Sequence, residues 1–126
     1  IATFCHKSAN GKPLMIDGDG RQSRDFIYIE DVIKALVLAG TKNNKPVSGI
    51  YNIGTSQTTS LRQVIQNIKA SGVEVKETYT SKESVGQNSF SLDASRFKKD
   101  FEWDPKTKLC KGIENTLAWF QESITS

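Results

Sequence analysis

Apolar and polar positions alternate between helix-like and strand-like stretches along this chain, with turn residues punctuating each change. Residues 1–9 read as a helix tail, stopped by Asn10-Gly11 and Pro13. Leu14-Met15-Ile16 is a short apolar run closed by the turn-rich Asp17-Gly18-Asp19-Gly20, and Phe26–Ile29 reads as a second strand. Asp31 suits a helix N-cap, and Val32, Ile33, Leu36 and Val37 then share one helix face ending at Gly40. Ile50–Ile53 is a compact strand candidate. Ser60 and Gln63 have capping-box spacing, Leu61, Val64, Ile65 and Ile68 recur at helical intervals, and Gly72 closes that helix. Val73–Tyr79 and Phe90–Leu92 are further strand candidates. Asp93 is placed to cap a helix carrying Phe97 and Phe101 that stops before Pro105. A last helix aligns Ile113, Leu117, Phe120 and Ile124. Short strands interleaved with helices predict an α/β chain, with strand pairing that need not all be parallel.

Composition narrows the function classes. A chain of 126 residues fits one domain, and six Phe, three Tyr and two Trp supply enough large side chains for a modest core, which argues against disorder. The formal charge of +3 comes with scattered lysines rather than a stripe, so nucleic acid is not an expected partner. No window approaches the roughly eighteen apolar residues of a membrane span. The start at Ile1 lacks the basic lead and apolar run of a signal peptide, and reads as a cut into a longer polypeptide. Cys5 and Cys110 stand in no metal-ligand spacing, so free thiols in a reducing cytoplasm are expected rather than a disulfide.

The residues for several chemistries are missing. His6 is the sole histidine, which removes histidine-based triads, and it reads as a surface or packing residue. The glycines spell neither G-x-G-x-x-G nor a Walker loop. Gly18-Asp19-Gly20 precedes a strand rather than a helix N-terminus and carries acidic neighbours that repel phosphate, so it reads as a tight turn. The residues four after Tyr28, Tyr51 and Tyr79 are Val32, Thr55 and Glu83, so no Tyr-x-x-x-Lys pair exists.

GKPLMIDGDGRQSRDFIYIEDVIKAL (11–36), SGIYNIGTSQTTSLRQVI (48–65) and SLDASRFKKDFEWDPKTKLCKGIENTLAWF (91–120) occur in order and at suitable spacing. Together they resemble the C-terminal region of the extended short-chain dehydrogenase/reductases, the NAD-dependent sugar-nucleotide epimerases and dehydratases. The resemblance implies that residues 1–126 form the small mixed α/β C-terminal substrate-binding domain, with the N-terminal Rossmann domain absent. NAD and the Tyr-x-x-x-Lys pair then belong to that missing domain, and this chain is expected to be inactive alone. Its expected ligand is a nucleotide-diphosphate sugar, as in an epimerase or 4,6-dehydratase. An alternative is a non-catalytic binding module that kept the fold.

Residue by residue, the resemblance gives Arg24 the role of contacting the diphosphate, which suits a planar guanidinium. The competing reading of Arg24 is a surface ion pair with Asp25 or Asp19. Met15, Ile16 and Asp17 match the strand along which the family lays the base, largely through main-chain contacts. Asp17 stands where the family usually has an aromatic residue. Gln22 and Asp25 read as turn and packing residues, and Asn52 of the Asn-x-Gly turn as a tie for loop backbone. Where the family commonly has an Arg-Pro-Gly-Asp-like run, this chain has Lys82-Glu83-Ser84-Val85-Gly86-Gln87. Either Lys82 replaces the second diphosphate arginine as a point charge, or the ligand is bound differently. Leu36, Val37 and Ile53 are expected on the surface that faces the Rossmann domain, where exposure favours self-association into a homo-oligomer.

Overall fold

A computed structural model of the chain describes residues 1–41, 49–81 and 89–125, with the side chains of 123–125 excepted. Lys82 therefore lies outside the described residues. In chain order the elements are α1 (Ala2–Ala9), β1 (Leu14–Asp17), β2 (Ser23–Arg24), α2 (Ile29–Thr41), β3 (Thr59–Ser60), α3 (Leu61–Ala70), β4 (Glu77–Thr80), β5 (Ser89–Phe90), α4 (Ser95–Phe101) and α5 (Leu109–Thr125). β1 pairs in parallel with β4, while β2 lies between an antiparallel β3 and a parallel β5. The described residues thus form a mixed α/β unit with two small sheets.

Three apolar clusters hold these elements together. Cys5, Val64, Ile68, Ile113 and Leu117 join α1, α3 and α5. Leu14 and Ile16 of β1 pack on Ile65 of α3. Ala35, Phe97, Phe101 and Trp103 join α2 to α4 and the segment after it, with Tyr51 and Ile53 packed alongside. Cys5 is therefore a core residue, and Cys110 is an exposed thiol on α5. His6 packs its ring on Phe120 at 5.1 Å, consistent with the packing role read from sequence.

α3 forms as its sequence dictates. The Ser60 hydroxyl accepts from Gln63 N–H at 3.2 Å, and Gln63 Oε1 accepts from Ser60 N–H at 2.9 Å, satisfying two helix-end donors reciprocally. Gly72, at φ 81°, follows the last turn and donates its N–H to the Lys69 carbonyl. Ser60→Ala is expected to cost about 1 kcal/mol in urea-unfolding free energy. A change below about 0.3 kcal/mol would show that the cap bonds are replaced by water without loss.

Other elements depart from the sequence reading. Phe26–Tyr28 and Ile50–Ile53 are segments without a ladder, although their composition is strand-like. Strand propensity describes fit to a pleated, half-buried surface, and no strand among the described residues pairs with either segment. The ladder instead takes Ser23 and Arg24, just upstream of Phe26. Of Val73–Tyr79 only the end is strand, running to Thr80, and the strand expected at Phe90–Leu92 is Ser89–Phe90.

The α2 helix begins at Ile29, so Asp31 sits in its first turn and is not the N-cap. Its inward face is Asp31 and Ala35, both buried, with Leu38 half-buried against the Phe97 cluster. The outward face carries Ile29, Ile33, Leu36 and Val37, between 50% and 64% exposed, and Ile50, ahead of the Tyr51 segment, is 89% exposed. Ile53, by contrast, is half-buried. α4 has Ala94 at its N-cap, yet Asp93 still accepts the Ser95 N–H at 2.9 Å from one residue further out. Bonds from Ser95 hold the Asp93 carboxyl below its ordinary pKa.

Candidate functional site

The turn from Gly18 to Gln22 delivers the chain from β1 into β2, placing the expected base strand and Arg24 on successive strands. Along β1, Leu14 N–H donates to the Lys76 carbonyl at 2.8 Å, and Gly18 N–H to the Thr80 carbonyl at 3.2 Å. Main-chain groups alternate in direction along a strand, so those of Met15 and Asp17 face away from β4. No strand among the described residues covers that edge. The Asp17 carbonyl accepts from Gln22 Nε2 at 3.0 Å, and the Asp17 carboxylate accepts from the Thr80 hydroxyl at 2.9 Å. The side chains alternate too: Met15 and Asp17 are exposed, whereas Leu14 and Ile16 are buried. Ile16 thus contributes a core side chain, while Met15 and Asp17 share one edge and one face.

Gly18 and Gly20 adopt left-handed φ values of 68° and 74°, which glycine accepts without strain. Gly20 is also a close-approach site, since a Cβ there would meet Arg62 Cγ at 3.2 Å and Ile16 Cγ2 at 3.4 Å. Arg62 Nε in turn donates to the Asp19 carbonyl at 2.6 Å. The glycines therefore serve a packed turn.

Arg24 is half-buried, and its Nη1 donates to the Ser23 carbonyl at 2.8 Å. Its main chain is flanked by Thr59 on β3 and Phe90 on β5. The ion pairs set against the ligand reading meet specific competition. Asp19 pairs with Arg21 at 3.0 Å. Asp25 accepts the Thr55 N–H at 3.0 Å and 3.1 Å, the Thr55 hydroxyl, the Ser56 N–H at 2.9 Å and, more weakly, the Leu92 N–H at 3.4 Å. Asn52 Nδ2 donates to the Asp93 carbonyl at 3.2 Å, so it ties down loop backbone as its chemistry predicts.

Two cavities lie beside this region, and Arg24 lines neither. One, of about 430 Å³, runs between Phe26–Ile29 and the first turns of α5, where a Cβ on Gly112 would meet the Tyr28 ring at 3.2 Å. The other, of about 260 Å³, is polar, and gathers Lys98, Lys106 and Lys108 from positions that look scattered in sequence. Lys98 there pairs with Asp104 at 2.8 Å. Among the described residues no group of His, Cys, Asp and Glu is placed to hold a metal. No helix among them is long and apolar enough to cross a membrane.

Residues 1–54 match the model of the NAD dependent epimerase/dehydratase family. Among particular relatives, the chain is 30% identical over 116 residues to a UDP-glucuronate 4-epimerase of Thermodesulfobacterium geofontis, covering 90% of this chain and 35% of that protein. It is also 30% identical over 133 residues to a dTDP-glucose 4,6-dehydratase of Haemophilus influenzae, covering 95% and 39%. In three dimensions it is similar to the UDP-glucose 4-epimerase of Thermotoga maritima with UDP-glucose, at a TM-score of 0.85 and 28% identity, covering 97% of this chain and 39% of that one. A second similar structure is the UDP-glucuronic acid 4-epimerase of Bacillus cereus with UDP-glucuronic acid and NAD, at a TM-score of 0.83 and 26% identity, covering 95% and 38%. These relatives are enzymes, and the chain spans roughly a fifth to two fifths of the curated ones, 18% to 40%.

Proposed function

We propose that this chain is the C-terminal, nucleotide-sugar-binding part of an NAD-dependent sugar-nucleotide epimerase or dehydratase. The observation that carries the proposal is its similarity over 97% of its length to only 39% of an epimerase that holds UDP-glucose. The local geometry supports it. The open edge of β1 offers the main-chain N–H of Met15, and of Asp17, to the edge of a base. Arg24, on the next strand, supplies the planar donors for a diphosphate. Lys82 is the candidate for a second positive charge.

The Gly18–Gly20 turn is not shaped as a cradle for the phosphates of NAD. The Gly18–Gly20 turn leads into β2 rather than a helix N-terminus, Arg62 fills the space over Gly20, and Asp19 faces outward with Arg21. Hydride transfer is therefore assigned to the rest of the parent protein, and this chain's part is to bind and orient the nucleotide. The apolar outer face of α2, together with the strand-like segment at Ile50–Ile53, is proposed to pack against that nicotinamide-binding part. A sheet placed there would supply the missing ladder partner and cover Ile33, Leu36 and Val37.

Calorimetric titration with UDP and with dTDP tests the site. Arg24→Ala is expected to weaken binding about tenfold to a hundredfold, the worth of one charge-assisted bond of about 1.5–3 kcal/mol. Equal binding by the variant and the parent chain would remove Arg24 from the site. Absence of saturable nucleotide binding by the parent chain would count against the reading as a whole and favour a module without this ligand.

A further inference from the structure

We infer that Asp25 is the positioning residue for Arg24: its carboxylate clamps three chain segments together and thereby sets where the Arg24 guanidinium is presented. The inference rests on the proposed diphosphate role of Arg24.

The strands on either side of Arg24 are too short to hold it firmly. β2, β3 and β5 have two residues each, and isolated pairings of that length are weak. What extends the join is the next residue. Asp25 donates its N–H to the Phe90 carbonyl at 3.0 Å, continuing the β5 pairing by one step. Its carboxylate reaches to the turn after Asn52, where it accepts from Thr55 through both N–H and hydroxyl, and from the Ser56 N–H. The longer bond from Leu92 N–H brings in the segment that follows β5. One side chain thus fastens the strand of Arg24, the 54–56 turn and the 90–92 segment.

The turn is shaped around this carboxylate. A Cβ on Gly54 would meet Asp25 Oδ2 at 2.8 Å and Leu92 Cβ at 3.1 Å, so the residue must be glycine for Asp25 to enter. Ser56 adopts φ 62°, a left-handed conformation that is unfavourable for a serine, and its N–H bond to Asp25 is what that conformation secures. Side chains of successive strand residues point to opposite faces. Fixing the Asp25 side chain from one face therefore fixes the origin and direction of the Arg24 side chain on the other. A guanidinium meets a diphosphate through directional, paired donors, so small displacements of its base translate into lost bonds.

The test is a double-mutant cycle read by UDP titration of the 126-residue chain, at a temperature where circular dichroism shows every variant folded. Asp25→Asn keeps the shape of the side chain and replaces one acceptor by a donor. Gly54→Ala leaves the carboxylate intact and displaces it. Each is expected to weaken UDP binding tenfold or more. Adding Arg24→Ala to either is expected to weaken binding no further than Arg24→Ala alone, which a purely structural role of Asp25 would not produce. Thr55→Val, which deletes the hydroxyl bond to Asp25 together with the hydroxyl's bonds to Gln57, replaces either variant that fails to fold. Unchanged affinity in Asp25→Asn or Gly54→Ala overturns the inference, as do losses that add to that of Arg24→Ala. A parent chain that fails to bind UDP, or an Arg24→Ala variant that binds like the parent, instead overturns the reading of Arg24 and takes this inference with it.

Discussion

Phe97→Ala is expected to remove about 3–5 kcal/mol of stability, a large share of the roughly 5–15 kcal/mol available to a small domain. Phe97 is 3% exposed and stands at the centre of a ring cluster. It stacks on Phe101 with centroids 4.3 Å apart and meets Trp103 and Tyr51 edge-on at 5.4 Å and 5.7 Å. Truncation deletes all three ring contacts and leaves a void that α4, only seven residues long, has little freedom to close. The same cluster seats Tyr51 and Ile53, so the turn that engages Asp25 should loosen with it. Urea unfolding followed by tryptophan fluorescence measures the loss, since Trp103 reports on the cluster directly. A loss below about 1 kcal/mol would show that neighbouring rings collapse into the gap, and that the cluster does not anchor α4 and the Tyr51 segment.

How far the sequence could be read depended on whether an element's partners were local. α3 was legible because its cap, its apolar stripe and its stop lie within thirteen residues of one another, from Ser60 to Gly72. α1, α4 and α5 were legible for the same reason, with Cys5, Phe97, Ile113 and Leu117 all buried. Phe26–Ile29 and Ile50–Ile53 have strand-like sequences because apolar and β-branched residues fit a pleated surface. Whether a ladder forms depends on a neighbouring strand, and that information is not contained in the segment. Ser23 and Arg24 show the converse: nothing in a serine and an arginine announces a strand, and their pairing is imposed by Thr59 and Phe90. For α2 the apolar stripe was found, but its direction was not fixed by periodicity. The inward positions hold Asp31 and Ala35, and the larger apolar side chains face outward.

The candidate site divides in the same way. Arg24 and the β1 strand were picked out by a motif of contiguous residues. The alternation that turns Met15 and Asp17 to the open edge and Ile16 to the core follows from strand geometry once β4 is known to be the partner. In sequence Asp25 reads as a turn and packing residue, since its four donors come from Thr55, Ser56 and Leu92, thirty or more residues away. A signal did exist in Gly54, whose missing side chain marks a close approach, but only the fold shows that the approaching atom is a carboxylate oxygen.

Asp31→Ala is expected to cost about 2 kcal/mol at neutral pH, and this cost should shrink in acid. Asp31 is 1% exposed, and its Oδ2 accepts the Thr107 N–H at 2.8 Å, fixing the turn that leads into α5. Lys34 stands 3.9 Å from Oδ1, at the surface. Truncation leaves the half-buried Thr107 N–H without its acceptor, a penalty within the range of about 1–3 kcal/mol for an unpaired donor. Burial on its own raises the Asp31 carboxyl. The bonds from the Thr107 backbone and side chain and from the Lys106 N–H, with the Lys34 charge, outweigh it and hold the pKa below the ordinary value. A folded-state pKa below the unfolded one means that the stabilisation is complete above the ordinary carboxylate value of about 3.9. It drains away as pH falls from there through the lowered folded value, because the unfolded chain then binds the proton more readily. Asp93, and Glu77 with its bonds from Lys69 and Tyr79, are also lowered. They make both proteins acid-sensitive and cancel in the difference between them. Urea unfolding of parent and variant at neutral pH and near pH ~3 should therefore show two stabilities drawing together. A gap that stays constant across that interval would show that Asp31 holds the α5 turn by its shape and packing, and that its charge plays no part.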